Sequence, residues 1–219
     1  MVKRFGGFGF ELGKENDALR REYTQAYHAC VSFVDAQIGL ILDKLKAQKI
    51  WNDTIVIFTS DHGYHLGEHF MWGKVTLFEE CARVPLIVRV PGVSPSGKTS
   101  QGLVETIDLF PTLAELCGLT APAQLQGKSY VSLIRKPGGP GKPSAYTVVS
   151  RGTQLGRSIR TQRWRYAEWG EAKAAELYDL QRDPKEYNNL AKSPEHRDIV
   201  GQMKSRLAKR QAQAESAQN

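Results

Sequence analysis

The feature that most constrains the fold is a short run at residues 54–59, Thr-Ile-Val-Ile-Phe-Thr, which is rich in β-branched residues and lies between polar residues. A continuous run of this length predicts a β-strand that is buried on both faces. Such strands are typical of parallel sheets that are covered by helices. A second run of the same kind covers residues 85–90 and is closed by Pro91-Gly92.

Helical patterns flank these two predicted strands. Apolar residues recur every three or four positions from Asp17 to about Lys49 and predict one long amphipathic helix. Residues 106–117 predict a second helix with Ile107 and Phe110 facing inward. The order helix, strand, strand, helix favours an α/β architecture.

Neither a membrane span nor a signal peptide is predicted. No apolar stretch approaches the 18 residues that a membrane-spanning helix requires. Residues 1–15 are rich in glycine and include Glu11, so they lack the apolar run of a signal peptide.

The second part of the chain has a different pattern. A segment dense in proline and glycine predicts a linker, and the short alternating runs after it predict antiparallel strands. Trp164 and Tyr166 alternate as one buried face, and residues 195–214 are expected to be helical. The predicted domains are an α/β part at residues 1–136, a linker at 137–143 and a small antiparallel α+β subdomain at 144–219.

The chain is basic, with 30 Lys and Arg against 23 Asp and Glu, a net charge of +7. This balance is compatible with anionic partners such as nucleic acid, sulfated sugars or phosphates. Nearly half of the excess lies from Lys192 onward, where it indicates the solvated face of a terminal helix. Four arginines between residues 157 and 165 are likewise expected on the solvated face of a hairpin.

Chemically active side chains are concentrated at residues 59–74, immediately after the first predicted strand. Ligands of open α/β sheets bind beyond the carboxyl ends of the strands. Asp61 and His62 lie at that edge, where a carboxylate oxygen and an imidazole nitrogen can face one ion, although a capping Asp beside a surface His fits equally well. Imidazole and carboxylate together favour Zn or Mn. The same stretch also supplies His65, Glu68, His69 and Lys74.

The sequence resembles the carboxyl-terminal half of the sulfatase family, within the alkaline-phosphatase superfamily, and most closely its iduronate-2-sulfatase-like and choline-sulfatase-like branch. The resemblance covers most of residues 20–191. It rests on T-I-V-I-F-T-S-D-H-G-Y-H-L-G-E-H (54–69), W-G-K (72–74), R-V-P-L-I-V-R-V-P-G (83–92), I-D-L-F-P-T-L-A-E-L-C-G (107–118), I-R-T-Q-R-W-R-Y (159–166) and E-L-Y-D-L-Q-R-D-P-K-E-Y-N-N-L-A (176–191). It implies part of an alkaline-phosphatase-like sheet flanked by helices, followed by a small antiparallel α+β subdomain.

The resemblance also implies a chemistry, namely metal-assisted hydrolysis of a sulfate ester. Asp61 and His62 match two ligands of a divalent cation, for which the family favours Ca²⁺, with Mg²⁺ as the other candidate, over Zn or Mn. Lys74 matches a catalytic lysine that contacts the sulfate oxygens. His65, Glu68 and His69 would line the mouth of the pocket.

The partners implied are a sulfated small molecule or a sulfated sugar, with neither nucleic acid nor membrane. Enzymes of this family act in the periplasm, outside the cell or in the lysosome. The family nucleophile is a formylglycine made from the motif C/S-x-P-S-R, and this chain contains neither that motif nor an Asp-Asp pair. The resemblance therefore implies that the amino-terminal half of the same enzyme supplies the nucleophile.

We accordingly expect the isolated chain to bind metal weakly and to hydrolyse no aryl sulfate. Two alternatives remain open. One is a phosphatase or phosphodiesterase of the same superfamily, and the other is a non-catalytic polyanion-binding module that rests on the net charge of +7.

Overall fold

A computed structural model describes residues 17–170 and 174–216. The glycine-rich start, for which neither a regular element nor a signal peptide is predicted, lies outside the described residues. The chain divides into two compact units. Unit 1 comprises Met1–Lys74 and Val84–Gly92, and unit 2 comprises Val75–Arg83 and Val93–Asn219. The domain boundary expected at residues 137–143 stays a prediction.

From residue 17 onward, unit 1 contains one long helix and four short strands. The long helix predicted from the apolar repeat is confirmed as α1, Asp17–Ala47. The strands are β1 (Val56–Thr59), β2 (His65–Leu66), β3 (Trp72–Gly73) and β4 (Leu86–Arg89). Both strands expected from the apolar runs therefore form, each a little shorter than its run.

The pairing of β1 with β4 differs from the expectation of a parallel sheet. The two strands are antiparallel, with Val56 opposite Arg89 and Thr59 opposite Leu86. Burial on both faces is also wrong for the described residues, since Phe58 is 40% exposed and Ile87 is 64% exposed. An apolar run predicts only a strand whose side chains need to be buried. The direction and the neighbours of that strand depend on the segment that pairs with it.

Helix α1 likewise presents an apolar face that the described residues leave uncovered. It contains no buried residue, and Val34 and Ile41 are more than half exposed. Among the described helices none is long and apolar enough to cross a membrane.

Unit 2 contains a four-stranded antiparallel sheet, in the order β5-β6-β7-β8, that packs against a terminal helix. Its helices are α2 (Glu79–Ala82), α3 (Leu109–Leu116), α4 (Val131–Arg135) and α5 (Arg197–Ser216). Its strands are β5 (Ala145–Arg151), β6 (Gln154–Arg160), β7 (Trp164–Trp169) and β8 (Ala174–Asp179). The small α+β subdomain predicted from the sequence is thus confirmed.

The core of this sheet lies on the face predicted from the alternation of Trp164 and Tyr166. Ile159 is paired with Tyr166, and Tyr166 with Leu177, across three neighbouring strands. These buried side chains pack with Met203 of α5, and Trp164 is half-buried against the same cluster. Burial of several large apolar side chains is the main stabilising contribution here.

The buried side of α3 is not the one that Ile107 and Phe110 predict, because it consists of Pro111, Thr112 and Ala114. Ile107 and Phe110 are at least half exposed, whereas Asp108 and Thr112 are completely buried. Asp108 accepts a hydrogen bond of 2.7 Å from the backbone N–H of Lys128, and the Thr112 hydroxyl accepts one of 3.1 Å from a neighbouring backbone N–H. Buried polar groups are stable when they are hydrogen-bonded in this way.

The expectation that the hairpin arginines are solvated is wrong for Arg165, which is 2% exposed. Its Nε lies 2.6 Å from the carboxylate of Glu186, and its Nη2 pairs with the carboxylate of Glu79. The Glu186 carboxylate also accepts a 2.6 Å hydrogen bond from the backbone N–H of Glu79. These ion pairs fasten the segment Val75–Arg83 to β7.

Burial raises the pKa of Glu186 to about 7. The Arg165 guanidinium and the hydrogen bond from the Glu79 backbone oppose this rise, and the neighbouring charges of Glu79 and Glu80 add to it.

Candidate active site

The turn that follows β1 presents Asp61 and His62 at the end of the strand. Ser60 shapes this turn, because its hydroxyl donates a 2.8 Å hydrogen bond to the backbone carbonyl of His62 and lies 3.4 Å from Asp61 Oδ1. The two candidate ligands therefore leave the strand side by side, as the sequence predicts. Asp61 is largely exposed and His62 is partly buried.

The hydrogen bond of His62 defines which ring nitrogen is available to a ligand. Nδ1 lies 2.9 Å from the carbonyl oxygen of Gly63. A carbonyl only accepts, so Nδ1 carries the proton and Nε2 carries the lone pair. Metal-binding histidines commonly have this arrangement, in which the second nitrogen donates to a backbone carbonyl.

The carboxylate of Asp61 lies beside the same nitrogen, with Oδ2 at 3.4 Å from His62 Nε2. Partial desolvation raises the pKa of Asp61, but the hydrogen bond from the His62 backbone and the adjacent imidazole outweigh it, so the pKa is lowered from its usual value. Asp61 is therefore ionised at neutral pH and available to a cation.

Lys74 returns to this point through the β2–β3 hairpin. His65 pairs with Gly73 in the hairpin register, which places the end of β3 next to the beginning of β2. Lys74 Nζ lies 2.8 Å from His62 Nε2 and donates to it. The structure thus brings together Asp61, His62 and Lys74, three side chains that the sequence singles out.

Of the remaining three predicted residues, His65 lies in β2, and Glu68 and His69 lie in the turn of the same hairpin. His65 is completely buried, and its ring stands edge-on to that of His69 with centroids 5.8 Å apart. The Glu68 carboxylate accepts a 2.7 Å hydrogen bond from the backbone N–H of Leu66. Their role at the mouth of a pocket stays a prediction.

Two tyrosines that the sequence analysis does not single out support the loop of His62. The hydroxyls of Tyr64 and Tyr23 lie 2.6 Å apart, which joins the loop to α1. Burial raises the pKa of Tyr64, and the hydrogen bond to Tyr23 adds to the rise, so the phenol stays protonated. The position of Tyr64 within residues 59–74 is the sequence signal that could have identified it.

Asp61 and His62 offer a carboxylate oxygen and an imidazole nitrogen, which are donor types that bind divalent cations. Among residues 17–170 and 174–216, no group of three or more His, Cys, Asp or Glu is arranged to hold a metal ion. The contact from the Lys74 ammonium indicates that His62 Nε2 is directed at a position that accepts positive charge. A complete coordination shell would need further ligands.

Comparison with known proteins identifies two matching families that together cover most of the chain. Residues 3–119 match the family described as Sulfatase. Residues 67–213 match the family described as N-sulphoglucosamine sulphohydrolase, C-terminal.

Individual relatives agree with this assignment. The chain is 32% identical to a Delta 4,5-hexuronate-2-O-sulfatase of Bacteroides thetaiotaomicron, over 88% of this chain and 42% of the relative. It is 30% identical to iduronate 2-sulfatase of Homo sapiens, over 83% of this chain and 46% of the relative. The chain therefore spans less than half the length of each of these proteins.

Solved structures also resemble this fold. A protein in complex with its substrate D-glucosamine-2-N,6-O-disulfate has a TM-score of 0.87 and 29% identity, over 92% of this chain and 44% of that one. The phosphonate monoester hydrolase of Agrobacterium radiobacter has a TM-score of 0.75 and 29% identity, over 84% of this chain and 40% of that one.

Proposed function

Because the chain belongs to the sulfatase family, we propose that it forms the carboxyl-terminal part of the catalytic domain of a sulfuric ester hydrolase. Proteins of this family hydrolyse sulfate esters. The observation that carries the proposal is the convergence of three side chains, with Lys74 Nζ at 2.8 Å and Asp61 Oδ2 at 3.4 Å from His62 Nε2.

Asp61 and His62 would hold a divalent cation, for which we propose Ca²⁺, with Mg²⁺ as the other candidate. The lowered pKa of Asp61 keeps its carboxylate charged, and the proton on His62 Nδ1 leaves a lone pair on Nε2, for which a cation would compete with Lys74. A bound cation would polarise the sulfate group and stabilise negative charge on its oxygens.

Lys74 would contact the sulfate oxygens directly. Ester hydrolysis moves negative charge onto the leaving and non-bridging oxygens, and a fixed ammonium stabilises this charge in the transition state. A lysine suits this role because it acts as a compact point charge on a tetrahedral anion. The β2–β3 hairpin and the loop that Tyr64 supports hold Lys74 and His62 in reach of one another.

The amino-terminal half of the same enzyme would complete the site with a formylglycine nucleophile. Three observations support this part of the proposal. The chain has no C/S-x-P-S-R motif and spans less than half of its relatives. In addition, α1 and β4 present exposed apolar side chains, among them Val34, Ile41 and Ile87, that a further layer of the domain would cover.

The proposed substrate is a sulfated sugar, and the proposed type is iduronate-2-sulfatase-like. The names of the hexuronate and iduronate sulfatases, and the sulfated glucosamine bound by a structural relative, support this class. The second candidate is a phosphorus ester, which the likeness to phosphonate monoester hydrolase supports. Comparing turnover of nitrophenyl sulfate with that of a nitrophenyl phosphonate by the complete enzyme separates the two.

The coding sequence upstream of Met1 provides the first test. We expect an in-frame Cys- or Ser-x-Pro-Ser-Arg motif, and we expect the longer product to hydrolyse a sulfate ester. In that product Lys74→Met and His62→Ala should each lower turnover by about a hundredfold or more, as removal of other transition-state contacts does. Asp53→Asn, in the exposed turn before β1, is the matched control and should leave turnover unchanged.

Two results would contradict the proposal. Metal-dependent hydrolysis of nitrophenyl sulfate by the 219-residue chain alone would show that no further half is needed. Full activity of the longer Lys74→Met product would remove Lys74 from the chemistry.

A further inference from the structure

Unit 2 contains a groove, here called the basic groove, between α5 and the residues around α4. Its volume is about 500 Å³. This is within the range of pockets that hold small molecules. Five basic side chains line it: Lys128, Lys142, Arg206, Lys209 and Arg210.

Two of the five basic side chains are neutralised by buried acids. Lys142 Nζ lies 2.5 Å from Asp108 Oδ1 and also pairs with Glu105. Arg210 Nη2 lies 3.0 Å and 2.9 Å from the two carboxylate oxygens of Glu105. These two acids and two bases form a closed network that holds α5 to the wall of the groove.

The other three basic side chains carry the excess charge of the groove. Lys128, Arg206 and Lys209 are exposed, and their side chains have no hydrogen bond or ion pair with any residue among the described ranges. Three positive charges that share one groove repel one another. An anion that binds between them would offset this electrostatic repulsion.

A buried hydroxyl provides a second and independent sign of a ligand. Tyr130 is 6% exposed and lines the groove, and its hydroxyl has no hydrogen-bond partner among the described residues. An unsatisfied buried hydroxyl is destabilising by about 1–3 kcal/mol unless a ligand or water completes it. Burial, with the nearby charge of Asp108, raises the pKa of Tyr130 to about 12, so the phenol remains a donor.

The rest of the lining suits a sugar. Neutral polar side chains, including Gln126, Ser132 and Gln213, can hydrogen-bond hydroxyl groups, while Leu103 and Pro140 provide apolar surface. A saccharide has both hydroxyl groups and apolar ring faces, and its sulfate groups carry the negative charge that the three basic side chains require.

We propose that the basic groove binds a sulfated saccharide, through Lys128, Arg206 and Lys209 to its sulfate groups and through the Tyr130 hydroxyl to one of its oxygens. The choice of a saccharide as ligand rests on the proposed function, since the substrate class is the same. The groove residues all belong to unit 2, whereas Asp61, His62 and Lys74 belong to unit 1.

Calorimetric titration of the 219-residue chain with a heparin-derived tetrasaccharide tests the proposal. The triple variant Lys128→Gln, Arg206→Gln, Lys209→Gln should bind roughly tenfold or more weakly. Tyr130→Phe should bind roughly fivefold more weakly, with a Tm equal to or above that of the wild type, because its hydroxyl has no partner in the protein. The chemically desulfated tetrasaccharide should not bind measurably.

A matched control removes the same charge from elsewhere on the same part of the chain. Lys192, Arg197 and Lys204 are exposed, and they do not line the groove. Their triple substitution by Gln should leave the affinity within about twofold. Equal weakening by the two triple variants, or equal affinity for a single-stranded oligonucleotide of matched charge, would overturn the proposal as non-specific attraction.

A variant of the candidate active site separates this proposal from the proposed function. If Lys74→Met abolishes tetrasaccharide binding and the groove triple variant does not, the saccharide binds at the candidate active site alone. That result overturns the groove proposal and leaves the proposed function intact. If the groove variant loses binding and the longer product has no sulfatase activity, the proposed function is overturned and the groove proposal is supported.

Discussion

Arg165 Nε lies 2.6 Å from Glu186 Oε1, and both side chains are almost completely shielded from water. The same guanidinium pairs with Glu79, whose backbone N–H donates to Glu186. Charges buried in this way stabilise one another only while every partner is present, because the interior solvates an isolated charge poorly. The segment that follows Lys74 along the chain is therefore joined to β7 by a set of interdependent ion pairs.

Removal of Arg165 should be strongly destabilising. In Arg165→Met the carboxylates of Glu79 and Glu186 lose their shared cation, and we expect the free energy of unfolding to fall by about 3–5 kcal/mol. Urea denaturation followed by circular dichroism measures this change. Arg182→Met is the matched control, because Arg182 is exposed and lies 3.9 Å from Asp179, so its loss should change stability by less than about 1 kcal/mol. Similar effects of the two substitutions would contradict the importance of the buried pairs.

The raised pKa of Glu186 predicts a pH dependence of stability. The folded-state pKa is about 7 against an ordinary value of 4.5, and the groups that face Glu186 are Arg165, Glu79 and Glu80. A raised acid contributes stability below its unfolded pKa and loses that contribution as pH rises through the folded pKa. The contribution of Glu186 should therefore decline between about pH 4.5 and pH 7.

Glu186→Gln isolates this contribution, because glutamine resembles the protonated acid at every pH. As the pH rises from 5 to 8, the unfolding free energy of the wild-type chain should fall by up to about 3 kcal/mol relative to that of the variant. Paired urea titrations across this range measure the difference. A constant difference at all pH values would show that the acid does not titrate in this window.

Lys74→Met should have opposite effects on metal binding and on turnover. The Lys74 ammonium hydrogen-bonds the nitrogen of His62 that would bind a cation, so its removal relieves competition and repulsion. We expect Ca²⁺ to bind the chain about fivefold more tightly, which corresponds to about 1 kcal/mol of repulsion in water. Titration calorimetry checks this, with exposed Lys44→Met as the control of equal charge. Weaker Ca²⁺ binding in Lys74→Met would contradict the competition.

Gly127 should not tolerate a side chain. A Cβ atom at this position would lie 2.0 Å from the backbone oxygen of Ile107, which cannot move without disturbing the start of α3. Gly127→Ala should destabilise by about 3 kcal/mol, which corresponds to a fall in Tm of roughly 6–12 °C. Gly138→Ala is the control, because nothing lies within 4 Å of its Cβ position. Differential scanning calorimetry that finds the same Tm for both variants would contradict the close approach.

Local pattern was sufficient for most of the regular elements, although not for β2 and β3, and it supplied the residues that we propose for the site. The apolar repeat that predicts α1 and the alternation that places Tyr166 in a buried face depend on neighbours a few positions away. The sequence order also placed Asp61 and His62 at the end of β1, because a strand and the turn after it are consecutive. Side-chain chemistry at these positions could be proposed from residue type alone.

Pairing and burial could not be predicted in the same way. Residues 60–85 separate β1 from β4 and are long enough for either strand direction, so the antiparallel register had no sequence signal. Arg165 has a charged side chain of the kind that sequence alone places in solvent, yet it is buried because Glu79 and Glu186, distant in sequence, lie against it. Ile107 and Phe110 are expected to be inside, but the hydrogen bonds of Thr112 and of the preceding Asp108 hold a different side of α3 inward.

The amino-acid order by itself determined where most of the helices and strands occur, which family the chain resembles and which side chains follow β1. Tertiary structure alone decided that Lys74 meets His62, that an arginine of β7 is buried between two glutamates and that the basic side chains of α5 face those beside α4. The physical reason is one of range. Propensity and periodicity act between near neighbours, whereas ion pairs, grooves and strand registers form between segments that only the folded chain brings together.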